Sequence, residues 1–236
     1  MDMIDTKRQS NDRDVFAHFC KEKTESGEYY SDEDIADHMV FLMLAAHDTT
    51  TSASTMAAYY LGNDRALQSS LAEEMASWPE ELGFEDVFHS VNGLICVFYE
   101  TIRMHPPVPL FLRRTIRECE LGGIRVPADT MICVPGTYIH RLPDWWRRPD
   151  QFDPRRFSPE VSEHKKHHFM WIPFGGGAHK CIGMHFARML FLLTFRELLS
   201  NYRIEFASQG YFPAKLQHFP FTRPLDNLPL RLSPRR

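Results

Sequence analysis

The sequence is short of paired cysteine, of excess basic charge and of long apolar runs, and each lack removes a class of function. Its five cysteines (Cys20, Cys96, Cys119, Cys133, Cys181) are odd in number, widely spaced and form no CxxC pair. That pattern argues against a disulfide framework or a four-cysteine zinc module and for a reducing, cytoplasmic setting. A net charge of -4, with no lysine- and arginine-rich segment interleaved with aromatics, leaves no field for nucleic acid. The longest apolar run, Met39 to Ala46, is far short of the ~20 residues of a membrane span and reads as a buried helix core. No charged-then-apolar leader opens the chain, so no membrane anchor is visible. Repeats and low-complexity linkers are absent too, so the 236 residues are expected to form one domain.

What is present is mostly helical. Residues 1–27 suggest a short helix and a loop. Ser31 with Asp34 is a helix start signal. From there Ile35, Met39, Leu42, Met43, Ala46, Met56, Tyr59 and Tyr60 keep helical spacing to a stop at Gly62. A helix over about 32–62 would be roughly 45 Å long. Asp64 caps a second helix over 65–77, and a third is expected from about 84 to 104, ended by Pro106-Pro107. Residues 110–134 alternate as short strands, 144–159 read as an ordered irregular loop, and a helix follows from about 182 to 200. The tail, 202–232, reads as short strands with proline-rich turns. The expected class is mainly α with a small β-sheet.

The strongest chemical signal is Phe174-Gly175-Gly176-Gly177-Ala178-His179-Lys180-Cys181-Ile182-Gly183, followed by an apolar helix. Consecutive glycines let a backbone pass against a flat ligand where a β-carbon would collide. A cysteine at the opening of a helix faces unpaired N–H groups and the positive dipole end, both of which favour negative charge there. Two other readings stay open on these residues alone. A lone cysteine is commonly a small buried hydrophobe, and His179, Cys181 and His185 could together ligate zinc.

The stretch resembles the haem loop of the cytochrome P450 family, Phe-x-x-Gly-x-Arg/His-x-Cys-x-Gly, met at Phe174, Gly177, His179, Cys181 and Gly183. The resemblance implies haem b (iron protoporphyrin IX), with Cys181 as axial ligand of the iron. Residue 179 becomes a haem-propionate contact, usually arginine in the family. Arg113, in Pro109-Leu110-Phe111-Leu112-Arg113-Arg114, matches a second propionate-binding position, though a cation on a strand edge would look the same.

Two further motifs support the resemblance. Glu100 and Arg103 share one helix face at i,i+3, flanked by Val97, Phe98 and Ile102, which suggests that the face packs inward. In the family they meet the arginine of a Phe-x-Pro-x-Arg-Phe loop, here Phe152-Asp153-Pro154-Arg155-Arg156-Phe157, so Arg156 closes a structural triad. Ala45-Ala46-His47-Asp48-Thr49-Thr50-Thr51 resembles the family's oxygen-activation motif, with Ala46 where glycine is usual. Mid-helix aspartate and threonines each cost a few tenths of a kcal/mol. An acid beside a hydroxyl in a locally loosened helix can relay the protons that dioxygen activation consumes, which makes Asp48 and Thr49 the catalytic candidates. His140 precedes Asp144-Trp145 as in many members and is assigned no chemistry.

By this resemblance the chain is the C-terminal haem-binding half of a haem-thiolate monooxygenase, N-terminally incomplete against a domain roughly twice as long. It would hydroxylate an apolar small molecule with dioxygen and electrons from a ferredoxin- or flavodoxin-type donor, docking near Lys165, Lys166, Lys180 and Arg188. Ala45, Leu110 and the Phe219–Phe221 region are the pocket-lining candidates. The alternatives are a haem-binding remnant without turnover, marked by an exposed apolar surface on the long helix, and a zinc-binding non-enzymatic module.

Overall fold

The computed structural model describes residues 2–88, 92–218 and 220–235. The chain divides into two compact units, Met1–Asp48 and Thr49–Arg236. The first holds α1 (Asp2–Gln9), α2 (Val15–Lys21) and the start of α3 (Asp32–Asn63). Its small core gathers Ile4, Cys20 and Ile35, with Phe16, Phe19 and Tyr30 packed against them. The start of α3 is a reciprocal cap: the Asp34 N–H donates to Ser31 Oγ, whose hydroxyl donates to the Asp34 carboxylate.

The run Met39–Ala46 is not a buried core. Val40, Phe41, Met43 and Leu44 are each at least 62% exposed. Consecutive apolar residues cover every side of a helix, so burying them needs neighbours all round, and the elements of this chain leave these four facing solvent. The C-terminal part of α3 behaves oppositely, with Ala53, Met56, Ala57, Tyr59 and Leu61 buried. The helix ends at Asn63, one residue past Gly62, where a β-carbon would approach the Phe206 ring to 3.1 Å, so the glycine also permits close packing there.

In the second unit, α4 (Arg65–Ala76) begins at Asp64, whose carboxylate accepts from the Leu67 N–H. The single helix expected over 84–104 is instead two, α5 (Phe84–Phe88) and α6 (Gly93–Met104), with residues 89–91 outside the described set. Asn92 caps α6 by accepting from the Ile95 N–H, and the Glu74 carboxylate accepts from the Gly93 N–H. Then come β1 (Leu110–Arg114), β2 (Cys119–Leu121), β3 (Ile124–Val126), β4 (Met131–Pro135), the short α7 (Gly136–Ile139), α8 (Met184–Asn201), β5 (Tyr202–Phe206), β6 (Leu216–Gln217), β7 (Arg223–Pro224) and β8 (Leu230–Pro234).

Among the described residues the strands pair antiparallel as β1–β4, β2–β3, β5–β8 and β6–β7, each a small two-stranded sheet beside the helices. The main core lies between α3, α4, α6 and α8 and contains Leu61, Leu71, Leu94, Phe98, Ile102, Phe191, Phe195 and Leu199. Among the described residues no helix is long and apolar enough to cross a membrane.

Candidate haem site

The glycine loop starts beside the Phe111 ring of β1 and runs into α8. Gly175 and Gly177 both sit at φ +69, a backbone shape that side chains resist. The Gly175 N–H donates to the Ile172 carbonyl at 3.0 Å and the Cys181 N–H to the Phe174 carbonyl at 2.9 Å, which closes the loop. Phe174 itself packs on Phe98 and Trp171 of the core. The closed loop presents Cys181 at the surface as a free, exposed thiol. A β-carbon at Gly183 would stand 3.9 Å from its sulfur, and one at Gly177 would meet nothing within 4 Å. His179 is exposed on a single 3-10 turn. Arg113, on β1 opposite Ile132, is exposed, and its Nη1 donates to the neighbouring Leu112 carbonyl.

Glu100, Arg103 and Arg156 meet in a buried cluster. Arg103 grips Glu100 with two hydrogen bonds, Nε to Oε2 at 2.6 Å and Nη2 to Oε1 at 2.8 Å. Arg156 Nε reaches Glu100 Oε1 at 3.3 Å, and the Asp153 N–H donates to the same oxygen at 2.8 Å. Burial raises the Glu100 carboxyl above its ordinary range, opposed by the hydrogen bonds from Arg103 and the Asp153 N–H and by the charge of Arg156. Glu163 is a fourth member that the motif does not announce. It accepts from Arg156 Nη1 at 2.9 Å and from the Arg147 N–H at 2.7 Å. Burial pushes its carboxyl up, but these donors outweigh it and hold it below the usual range. The Arg103 guanidinium also stacks over the Trp146 ring, 5.1 Å from its centre.

His140 is the second residue that sequence reasoning leaves without a part. It is fully buried, its carbonyl accepts from Arg103 Nη1 at 2.7 Å, and its ring bonds on both sides. Nδ1 lies 3.1 Å from the Arg103 carbonyl and Nε2 2.9 Å from the Ile172 N–H. Burial lowers its pKa to about 3.

Asp48 and Thr49 lie on α3, which is continuous α-helix through Ala45–Thr51 with no local loosening. Asp48 accepts from His47 Nδ1 at 2.8 Å and is partly exposed. Lys165, Lys166 and Lys180 are exposed, whereas Arg188 is buried against Tyr99, its Nη1 3.1 Å from the phenol oxygen. Arg188 therefore belongs to the core rather than to a charged docking face. Among the described residues no three His, Cys, Asp or Glu side chains are placed to hold a metal ion. His179, Cys181 and His185 thus do not form a preassembled zinc site. Of the pocket-lining candidates, Leu110 is exposed, Ala45 half-buried, and Phe219 outside the described residues.

The cytochrome P450 family model matches residues 2–228. The chain belongs to the cytochrome P450 family. Cytochrome P450 136 of Mycobacterium tuberculosis is 36% identical over 233 residues, 98% of this chain and 47% of that protein. Cyclooctatin synthase of Streptomyces melanosporofaciens is 33% identical over 210 residues, 86% of this chain and 45% of its own length. The solved structure of retinoic acid-bound cyanobacterial CYP120A1 superposes with a TM-score of 0.88 at 26% identity, covering 99% of this chain and 54% of that one. The chain thus spans about half the length of the relatives it matches and has the cytochrome P450 fold over that span. Its family is one of haem-thiolate monooxygenases.

The residues present fit a haem. One soft, exposed sulfur stands at the end of a loop whose glycines leave open space, and the adjoining Ile182 is 89% exposed and Phe186 53% exposed. A single thiolate beside uncovered apolar side chains suits a flat apolar macrocycle whose iron takes one axial sulfur, and not a tetrahedral ion that needs four donors.

Proposed function

We propose that this chain is the haem-binding part of a cytochrome P450 monooxygenase, with Cys181 as the axial ligand of the iron of haem b and residues 1–236 part of one such domain. The exposed Cys181 thiol on its closed glycine loop carries the reading. Haem, when bound there, supplies dioxygen activation and insertion of one oxygen atom into an apolar organic substrate.

The chain's own residues prepare the site. Gly177 admits the approach of a flat ring, and Phe174 anchors the loop through its carbonyl and its packing on Phe98. His179 and Arg113 are assigned the propionate contacts, and Gly183 puts no β-carbon beside the sulfur. Asp48, held by His47, and Thr49 are assigned the proton delivery: the Asp48 carboxylate takes a proton from solvent, and the carboxylic acid so formed hands it to the Thr49 hydroxyl, which gives up its own proton in turn. Glu100, Arg103 and Arg156 hold the loop that follows α7, a structural role rather than a chemical one. Electrons come from a separate ferredoxin- or flavodoxin-type donor, for which Lys165, Lys166 and Lys180 supply cationic surface.

The test is oxygen incorporation. Haem-reconstituted chain, a ferredoxin with its reductase and a panel of apolar substrates under isotopic dioxygen should yield products carrying one labelled oxygen, and Asp48→Asn should lower the yield. A second reading is favoured by one observation, the solvent-facing Val40, Phe41, Met43 and Leu44. In it this chain binds haem without turnover by itself. Haem-loaded protein that forms no product selects that reading.

A further inference from the structure

We propose that His140 is a positioning residue for the Cys181 loop, its imidazole tying the loop's approach segment to the Arg103 end of the buried triad. The inference rests on the haem-thiolate reading above and assigns a residue which that reading does not use.

Among the described residues the ring has two hydrogen-bond partners, and both are main chain. The Ile172 N–H can only donate, so Nε2 must accept at 2.9 Å. Nδ1 therefore carries the proton and donates to the Arg103 carbonyl at 3.1 Å. His140 also returns a bond to the same residue, since its own carbonyl accepts from Arg103 Nη1. The histidine and Arg103 are thus doubly joined, and Arg103 is fixed in turn by Glu100.

From Ile172 the connection continues along the loop. The Ile172 carbonyl accepts from the Gly175 N–H, and the Phe174 carbonyl accepts from the Cys181 N–H. Pro173, between them, has no N–H to offer. Without the ring, the Ile172 N–H is left without an acceptor at a half-buried position, and the first anchored residue of the loop loses its tie to α6. Partners that orient a ligand from behind matter to a metal site nearly as much as the ligand itself. The role requires a neutral ring, since a protonated one could not accept from Ile172, and full burial keeps it neutral.

Two substitutions separate the roles of the two nitrogens. His140→Gln places an amide oxygen near the Nε2 position and keeps an acceptor for Ile172. His140→Asn reaches only the Nδ1 position and removes it. In haem-loaded protein, reduced under carbon monoxide and compared at equal haem content, the wild type and His140→Gln should show the Soret band of a thiolate-ligated carbonyl. His140→Asn should lose thiolate band in favour of the non-thiolate form by about tenfold, the lower end of what disturbed ligand support costs a metal site.

An unchanged band in His140→Asn, or equal loss in both variants, overturns the inference while leaving the haem reading intact. A wild-type chain with no thiolate band sinks that reading, and the inference with it. Should His140→Asn fail to fold, the nitrogen shifts of the wild-type ring decide. A neutral ring protonated on Nδ1 supports the assignment, and an Nε2–H ring or a doubly protonated one at neutral pH contradicts it.

Discussion

Two buried histidines should contribute to the acid sensitivity of this protein. His140 is held between Arg103 and Ile172, and His105 lies with its Nε2 2.8 Å from the Tyr60 hydroxyl. Burial lowers both to about 3. A histidine depressed in the folded state takes its proton more readily when unfolded. Its stabilising contribution is therefore complete above the unfolded value near 6.5 and is lost as pH falls from there toward 3. Between pH 7 and pH 5 each should cost about 2 kcal/mol, read by urea unfolding at the two pH values. His140→Gln should reduce that pH-dependent loss by about one histidine's share; an identical loss would show that His140 does not titrate on unfolding. Glu100→Ala should be worse than either, by about 3–5 kcal/mol in the same assay, because Arg103 is left buried without its carboxylate. The meeting of Glu100, Arg103 and Arg156 is legible in two short motifs. His140 and Glu163 are not, because their partners include the main chain of Arg103, Ile172 and Arg147, and a bond to main chain leaves no trace in the identity of the partner.

At the scale of elements, the start of α6 shows how a legible signal is overridden. Asn92-Gly93 is a helix start in its own right, an asparagine cap before a flexible residue. The apolar spacing on both sides runs through it and suggests one helix where the chain makes two. Packing gives this glycine a second duty. A β-carbon there would collide with the Glu74 carboxylate and come within 2.6 Å of a Leu71 methyl. Alanine for glycine in an exposed helix stabilises by about 1 kcal/mol. Here Gly93→Ala should instead destabilise by about 1–3 kcal/mol, because it displaces the carboxylate that accepts from the Gly93 N–H. A raised melting temperature would show that Glu74 and Leu71 simply move aside. Where capping chemistry and periodicity agree, as at Ser31–Asp34 and Asp64, expected and observed boundaries differ by a residue at most.

Over the whole molecule, three motifs in order along 45–183 point to one family, and the match over residues 2–228 shows it. Local spacing is a poor guide to burial. The run Met39–Ala46 is apolar by composition, yet four of its side chains face solvent, because burial depends on which neighbours are present. Cys181 is the reverse case, a cysteine that no side chain of this chain buries, held on a loop that closes through Phe174. The haem assignment stands or falls on that sulfur. Purified chain loaded with haem, reduced and exposed to carbon monoxide should show the Soret band of a thiolate-ligated carbonyl, and Cys181→Ala should abolish it. Stoichiometric zinc with no haem, or the same band in Cys181→Ala, would contradict the assignment.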